Sequence, residues 1–229
     1  MTINSTLTDV LILCGGKGTR LQSIVSDRPK PMAPVGGKPF LAVIIDYLLT
    51  FHVASIILCT GYKSENIEEY YAKDSTIRFS PERSPLGTGG AVKNAERFVG
   101  SDPFFVLNGD SFSRIDLNDM LSCHISHNAG ATIAVSRMDN MAEFGTVVAG
   151  ADGRITGFAE KKSRGAPGLV NAGVYLFNKE IFSVIPARVP YSLEYDVFPK
   201  LRDCYAYESG KGFVDIGTEE RYKQARKGL

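Results

Sequence analysis

Residues 10–21 read Val-Leu-Ile-Leu-Cys-Gly-Gly-Lys-Gly-Thr-Arg-Leu, and no other stretch limits the fold and chemistry of the chain as strongly. An apolar run that stops at glycines is a buried strand feeding a turn. Gly15, Gly16 and Gly18 let the backbone approach a ligand closely and point its amides at an anion. Thr19 and Arg20 follow at once, and Lys30 stands between Pro29 and Pro31. Bare amides with two cations nearby make a cradle for a polyphosphate. Two common phosphate loops are excluded. The dinucleotide pattern needs a glycine where Leu21 stands, and the Walker pattern needs Ser or Thr after its lysine, where Lys17 has Gly18.

The rest of the chain alternates strand and helix signals. The patterning predicts strands over 9–14, 55–60, 76–80 and 104–108, with helices over 39–51, 64–71 and 89–98 between them. That rhythm implies an α/β fold with a mostly parallel mixed sheet and helices on both faces. After a helix over 117–127 the chain becomes β-rich, with strands over 132–136, 145–149, 155–160, 170–177 and 212–216. A last helix is expected over 218–227, with Thr218 as its cap. At 229 residues and 44% hydrophobic content, the chain can bury one sizeable core. We therefore expect a single domain, with residues 1–115 forming a nucleotide-binding half and 116–229 a sugar-phosphate-binding half.

A formal charge of +1 gives no global field for nucleic acid or an anionic membrane. No apolar run approaches the length of a membrane span, and the polar first residues lack the form of a signal peptide. Cys14, Cys59, Cys123 and Cys204 form no C-x-x-C pair, so the expectation is a reduced, cytoplasmic protein. Cys123, His124 and His127 are expected on a solvated helix face rather than around a metal.

In open α/β sheets, ligands bind beyond the carboxyl ends of the strands. Asp110 stands just after the strand at 104–108, where a carboxylate either serves the next turn or holds a divalent cation at a phosphate. Asp215, in Val214-Asp215-Ile216-Gly217-Thr218, repeats the placement, and together with the cradle the pair favours Mg²⁺. Residues 82–91 form a second glycine-rich turn, where Glu82, Gly87 and Thr88 are candidates for a site against which a flat base lies. Glu160 could accept sugar hydroxyls and Lys161 could neutralise a phosphate. Gly145 and Asn171 offer small or polar lining for a sugar pocket. No Ser/His/Asp set is present, and nucleotidyl transfer to an anionic acceptor needs none, because positioning and charge neutralisation suffice.

From about residue 9 to 218 the chain resembles the sugar-phosphate nucleotidyltransferases. Gly15–Leu21 matches their G-G-x-G-T-R-L motif, Lys30-Pro31 their K-P, Gly87–Ala91 their G-x-G-G-A turn and Asp110 their N-G-D aspartate. Glu160-Lys161 matches their E-K pair, with Lys162 where many relatives carry proline, and Asp215–Thr218 matches their D-x-G-T. The resemblance implies a Rossmann-like three-layer α/β/α sandwich that joins a nucleoside triphosphate and a sugar 1-phosphate into a nucleotide sugar and pyrophosphate. It implies that Arg20 and Lys30 hold the triphosphate, Lys161 the sugar phosphate, and Asp110 with Asp215 the Mg²⁺. It narrows the expected substrates to GTP and a heptose 1-phosphate. The alternatives are uridylyl, thymidylyl or cytidylyl transfer to another sugar 1-phosphate, and an idle nucleotide-sugar sensor. The short chain is not expected to carry the β-helix of longer relatives. Its oligomeric state is left open, a homo-oligomer included.

Overall fold

The structure is a computed structural model that describes residues 7–139, 141, 145–159, 167–208 and 212–228. In chain order the elements begin with β1 (Thr8–Leu13), the ribbon β2 (Pro34–Val35) and β3 (Lys38–Pro39), then α1 (Phe40–Leu48). There follow β4 (Val53–Cys59), α2 (Ser64–Tyr70), β5 (Ile77–Phe79), α3 (Gly87–Ala95), β6 (Phe104–Asn108) and β7 (Ser111–Phe112). The second half contains α4 (Leu117–Ser126), β8 (Ala131–Met138), β9 (Thr146–Ala149), β10 (Ile155–Ala159) and β11 (Gly168–Phe177). It ends with α5 (Ile181–Val184), β12 (Cys204–Glu208), β13 (Val214–Asp215) and α6 (Glu219–Gly228).

One mixed sheet of nine strands runs β10-β9-β11-β6-β1-β4-β5, with β8 paired to β11 and β12 paired to β8. β1 lies between β4 and β6, parallel to both, and β5 extends the parallel set. β11 runs antiparallel to β6, β8 and β9. Its second part lies beside β6 and its first part beside β9, and its register against β8 shifts between Asn171 and Tyr175. Gly173 sits in that shift at φ +73°, and a Cβ there would meet Ser111 Oγ at 2.5 Å, so glycine is required.

Successive residues of the parallel strands point to opposite faces, which gives three layers. Val10, Ile12, Ile56 and Leu58 pack with α1, α4 and α6 on one face. Leu11, Ile57 and Val106 pack with α3 and α5 on the other. Both faces are covered, so these strands read as continuous apolar runs. Full burial of each such side chain contributes about 1.5–3 kcal/mol.

Three expectations are corrected. His124 is not on a solvated face: it is 3% exposed, with Nδ1 2.8 Å from Thr132 Oγ1 and Nε2 2.9 Å from Asn178 Oδ1. Asn178 donates its amide to the Ala129 carbonyl, which fixes Oδ1 toward the ring, so Nε2 carries the proton. The strand expected over 212–216 is a two-residue pairing of β13 with β7, outside the main sheet. Finally, the sheet contains β12, which the sequence reading passed over. Among the described residues, no helix is long and apolar enough to cross a membrane.

Candidate active site

The carboxyl ends of β1, β4 and β6 open into a cavity of about 910 Å³. Its walls include Gly15, Gly16, Lys17, Gly18, Thr19 and Arg20 from the first loop, with Lys30, Glu82, Gly87, Thr88 and Asp110. The first loop is tied to its neighbouring strand ends by main-chain bonds. Cys14 N donates to the Cys59 carbonyl (2.9 Å), Tyr62 N to the Gly15 carbonyl (3.1 Å) and Gly109 N to the Leu13 carbonyl (3.0 Å). The approach is close: a Cβ on Gly61 would lie 2.9 Å from the Gly15 backbone, and one on Gly15 would have to displace the Glu82 carboxylate. Gly18 adopts φ +59°, which starts the short turn Thr19–Leu21 and buries Leu21 as its anchor.

Lys30 stands in the turn Lys30–Met32, and its side chain is 9% exposed. Its Nζ donates to Asp110 Oδ2 at 2.6 Å. Asp110 follows β6, and its carbonyl accepts from Ile216 N at 3.0 Å, which sets the segment of Asp215 beside it. Asp215 Oδ1 accepts from Arg221 Nη1 (2.5 Å) and Gly217 N (2.8 Å). Asp215 is not itself in the cavity wall, but Gly217 is, and the carboxylate lies against it.

Glu82 continues the β5 side, its N–H donating to the Thr60 carbonyl at 2.9 Å. Its Oε2 accepts from Leu86 N at 3.0 Å. Burial pushes its pKa up, and the Leu86 amide opposes that shift. The second glycine turn differs from expectation. Gly89 and Gly90 both donate to the Tyr191 carbonyl, at 2.8 and 3.0 Å, so these amides are committed to packing against the 191–197 segment. A Cβ on Gly87 would lie 2.7 Å from the same carbonyl oxygen. Thr88 Oγ1 donates to Glu194 Oε2 at 2.7 Å.

Gly145 and Asn171 do not line this cavity. Asn171 N donates to the Gly145 carbonyl (3.0 Å) and Asn171 Nδ2 to the Tyr175 hydroxyl (3.0 Å). Glu160 and Lys161 lie outside the described residues. The wall also holds Asn108, Tyr62 and Glu194, which sequence reasoning missed. Tyr62 follows the end of β4, so the strand-end rule would have found it. Glu194 sits in the π turn Leu193–Val197, which no local motif announces. Cys14 lines the cavity as well, but burial pushes its thiol well up, so it supplies no thiolate nucleophile.

A glycine cradle, cations (Lys17, Arg20 and Lys30 among them) and carboxylates (Glu82 and Asp110 among them) thus converge at strand ends of an α/β sheet. Residues 9–229 match the nucleotidyl transferase family. The chain belongs to that family. This nucleotidyltransferase is 40% identical over 227 residues to the D-glycero-α-D-manno-heptose 1-phosphate guanylyltransferase of Aneurinibacillus thermoaerophilus, covering 96% of this chain and 98% of that protein. It is 38% identical to the enzyme of the same name from Campylobacter jejuni, covering 93% and 96%. The crystal structure of HddC from Yersinia pseudotuberculosis complexed with GMP-PN superimposes with a TM-score of 0.87 at 34% identity, over 97% of this chain and 99% of that one. Relatives that act on sugar 1-phosphates span nearly the whole chain, so it is a sugar-1-phosphate nucleotidyltransferase.

Proposed function

We propose that this enzyme transfers GMP from GTP to D-glycero-α-D-manno-heptose 1-phosphate, giving GDP-heptose and pyrophosphate. The observation that carries the base assignment is the Glu82 carboxylate in the cavity wall, above the glycine loop. A carboxylate only accepts, and guanine alone among the four common bases presents two adjacent donors, N1–H and the N2 amino group. Uracil and thymine would set carbonyl oxygens against it. A polar site that mismatches its ligand discriminates by up to roughly 10⁴-fold, because its own groups are left unpaired. The heptose assignment rests on the relatives from Aneurinibacillus and Campylobacter.

In this reading the amides of Gly15, Gly16, Gly18 and Thr19, with Arg20 and Lys30, hold the triphosphate. Glu82, Gly87 and Thr88 border the base. Lys161 holds the sugar phosphate, and Gly145, Glu160 and Asn171 serve the sugar. Residues 1–115 then form the nucleotide half and 116–229 the acceptor half. A sugar-phosphate oxygen attacks the α-phosphorus in line, and the bond to the β-phosphate oxygen breaks. Pyrophosphate leaves with that electron pair. No proton moves, so no general base is required. Arg20 and Lys30 neutralise charge that grows on the leaving group. The reaction is sequential and inverts at phosphorus, since no protein nucleophile takes part.

The β7–β13 pairing brings the segments of Asp110 and Asp215 together, and carboxylate oxygens are hard donors of the kind Mg²⁺ takes. Asp110 and Asp215 would hold the ion, which neutralises phosphate charge when bound. Four free cysteines and the soluble substrates favour the cytoplasm as its location. A matrix of nucleoside triphosphates against sugar 1-phosphates, scored by pyrophosphate release, tests the assignment. GTP with the heptose 1-phosphate should be turned over fastest. Preference for UTP, dTTP or CTP would remove the guanylyl assignment, and no release with any pair would favour a sensor.

A further inference from the structure

The two acids of the site are each already paired with a resident cation, and the two pairs are anchored differently. Asp110 Oδ2 takes Lys30 Nζ at 2.6 Å, and Asp215 Oδ1 takes Arg221 Nη1 at 2.5 Å. Each acid thus carries its own resident counter-charge, so a free divalent cation must compete with an ion pair to reach it. Arg221 belongs to α6, which is held in place because Tyr222 donates its hydroxyl to the Pro34 carbonyl at 2.9 Å. Lys30 is held along its stem, and Asp110 is the partner of its tip. Its aliphatic stem packs beneath Gly18, where a Cβ would lie 2.9 Å from Lys30 Cβ and 3.4 Å from its Cδ. Its ammonium reaches into the same cavity as Arg20 and the glycine loop. An ammonium carries one unit of charge, so contact with the triphosphate weakens what it supplies to Asp110.

We propose that Lys30 is an exchangeable counter-ion that couples the two ligands: Asp110 becomes available to a divalent cation when Lys30 transfers to the triphosphate. The nucleotide-free protein therefore keeps its metal site closed by charge, and the cation enters with the nucleotide. This rests on the reading above that Asp110 binds the metal.

Mn²⁺ titration of the nucleotide-free protein, followed by the paramagnetic signal of the free ion, tests it. Wild-type protein should bind weakly. Lys30→Gln, whose amide still donates to Asp110 without a charge, should bind Mn²⁺ about 10-fold or more tightly, because a cation within ~4–6 Å of a carboxylate shifts its ion equilibria by that order. Lys30→Arg keeps the charge and should stay weak. Adding Asp110→Asn to Lys30→Gln should abolish the gain. Wild-type protein that binds Mn²⁺ as tightly as Lys30→Gln, with that binding lost in Asp110→Asn, would overturn the coupling while leaving the metal reading intact. Equal Mn²⁺ affinity of wild type and Asp110→Asn in complex with a non-hydrolysable GTP analogue would instead overturn the metal reading itself.

Discussion

The two ends of the sheet hold their shape by different means. At the β1, β4 and β5 end the strands are parallel, β1 is buried on both faces, and the cavity loop is fixed by main-chain bonds between strand ends. At the β11, β8 and β9 end the strands are antiparallel, and side chains supply many of the links. Asn171 and Asn108 both donate toward the Tyr175 hydroxyl (3.0 and 3.5 Å), and His124 joins Thr132 to Asn178. Arg137 pairs twice with Glu208 across β8 and β12. A surface shaped by backbone needs residues that lack side chains. One shaped by a side-chain network depends on each polar partner.

The largest expected effect separates the two surfaces by function. On the proposed reading, in which Arg20 neutralises the leaving group, Arg20→Ala should lower turnover by about 10²-fold or more and weaken GTP. Lys161→Ala should raise KM for the sugar phosphate and leave the nucleotide KM near normal. Steady-state kinetics on both substrates checks this. A Lys161→Ala enzyme altered only in its nucleotide KM would erase the division between the two ends.

An added methyl group probes the same contrast at smaller scale. In Gly61→Ala the new Cβ meets Glu82 Oε1 at 2.6 Å and the Gly15 backbone at 2.9 Å, so the glycine loop must shift. Such overpacking costs about 1–3 kcal/mol of stability and should raise the GTP KM as well. Gly157→Ala on β10 meets nothing within 4 Å, and should change stability by no more than about 0.5 kcal/mol. Urea unfolding of both variants gives the comparison. Equal losses would show that the backbone-built cradle is no tighter than the far edge.

That asymmetry also explains what the sequence disclosed. A parallel strand buried on both faces is an unbroken apolar run, and its end is marked by the glycines that follow, so Gly15–Gly18 and Asp110 could be placed from residue order alone. α1 and α4 were legible from helical spacing, and Asp116 caps α4 as an N-cap should, accepting from Asn118 N and Asp119 N. The antiparallel end depends on partners far apart in the chain. Nothing local says that His124 meets Asn178 or that Arg137 takes Glu208. β12 was missed for the same reason: its partner β8 lies some seventy residues earlier, as the Cys204–Ala131 pairing shows. The glycines of 87–90 were legible as glycines but not in purpose, because the carbonyl they accommodate belongs to Tyr191.

The smallest expected effect is a pH dependence confined to the antiparallel end. Burial holds the His124 pKa below its ordinary 6.5, against the weaker opposing pull of Asn178 and Asp102. The folded protein thus keeps this ring neutral where the unfolded chain protonates it. Below about pH 6.5 the unfolded state binds the extra proton, so stability falls as pH drops toward the folded pKa and is fully present above 6.5. His124→Leu cannot take up that proton, but it strands Thr132 and Asn178 and should cost about 2 kcal/mol at neutral pH. Its urea midpoint should then change less than that of wild type between about pH 7.5 and about pH 5.5. Amide exchange locates the effect: protection in β8 and β11 should weaken on acidification while β1 and β4 hold theirs. Parallel loss in all four strands would mean that the two ends open as one unit. The contrast between them would then describe how each surface is shaped, without describing how the sheet comes apart.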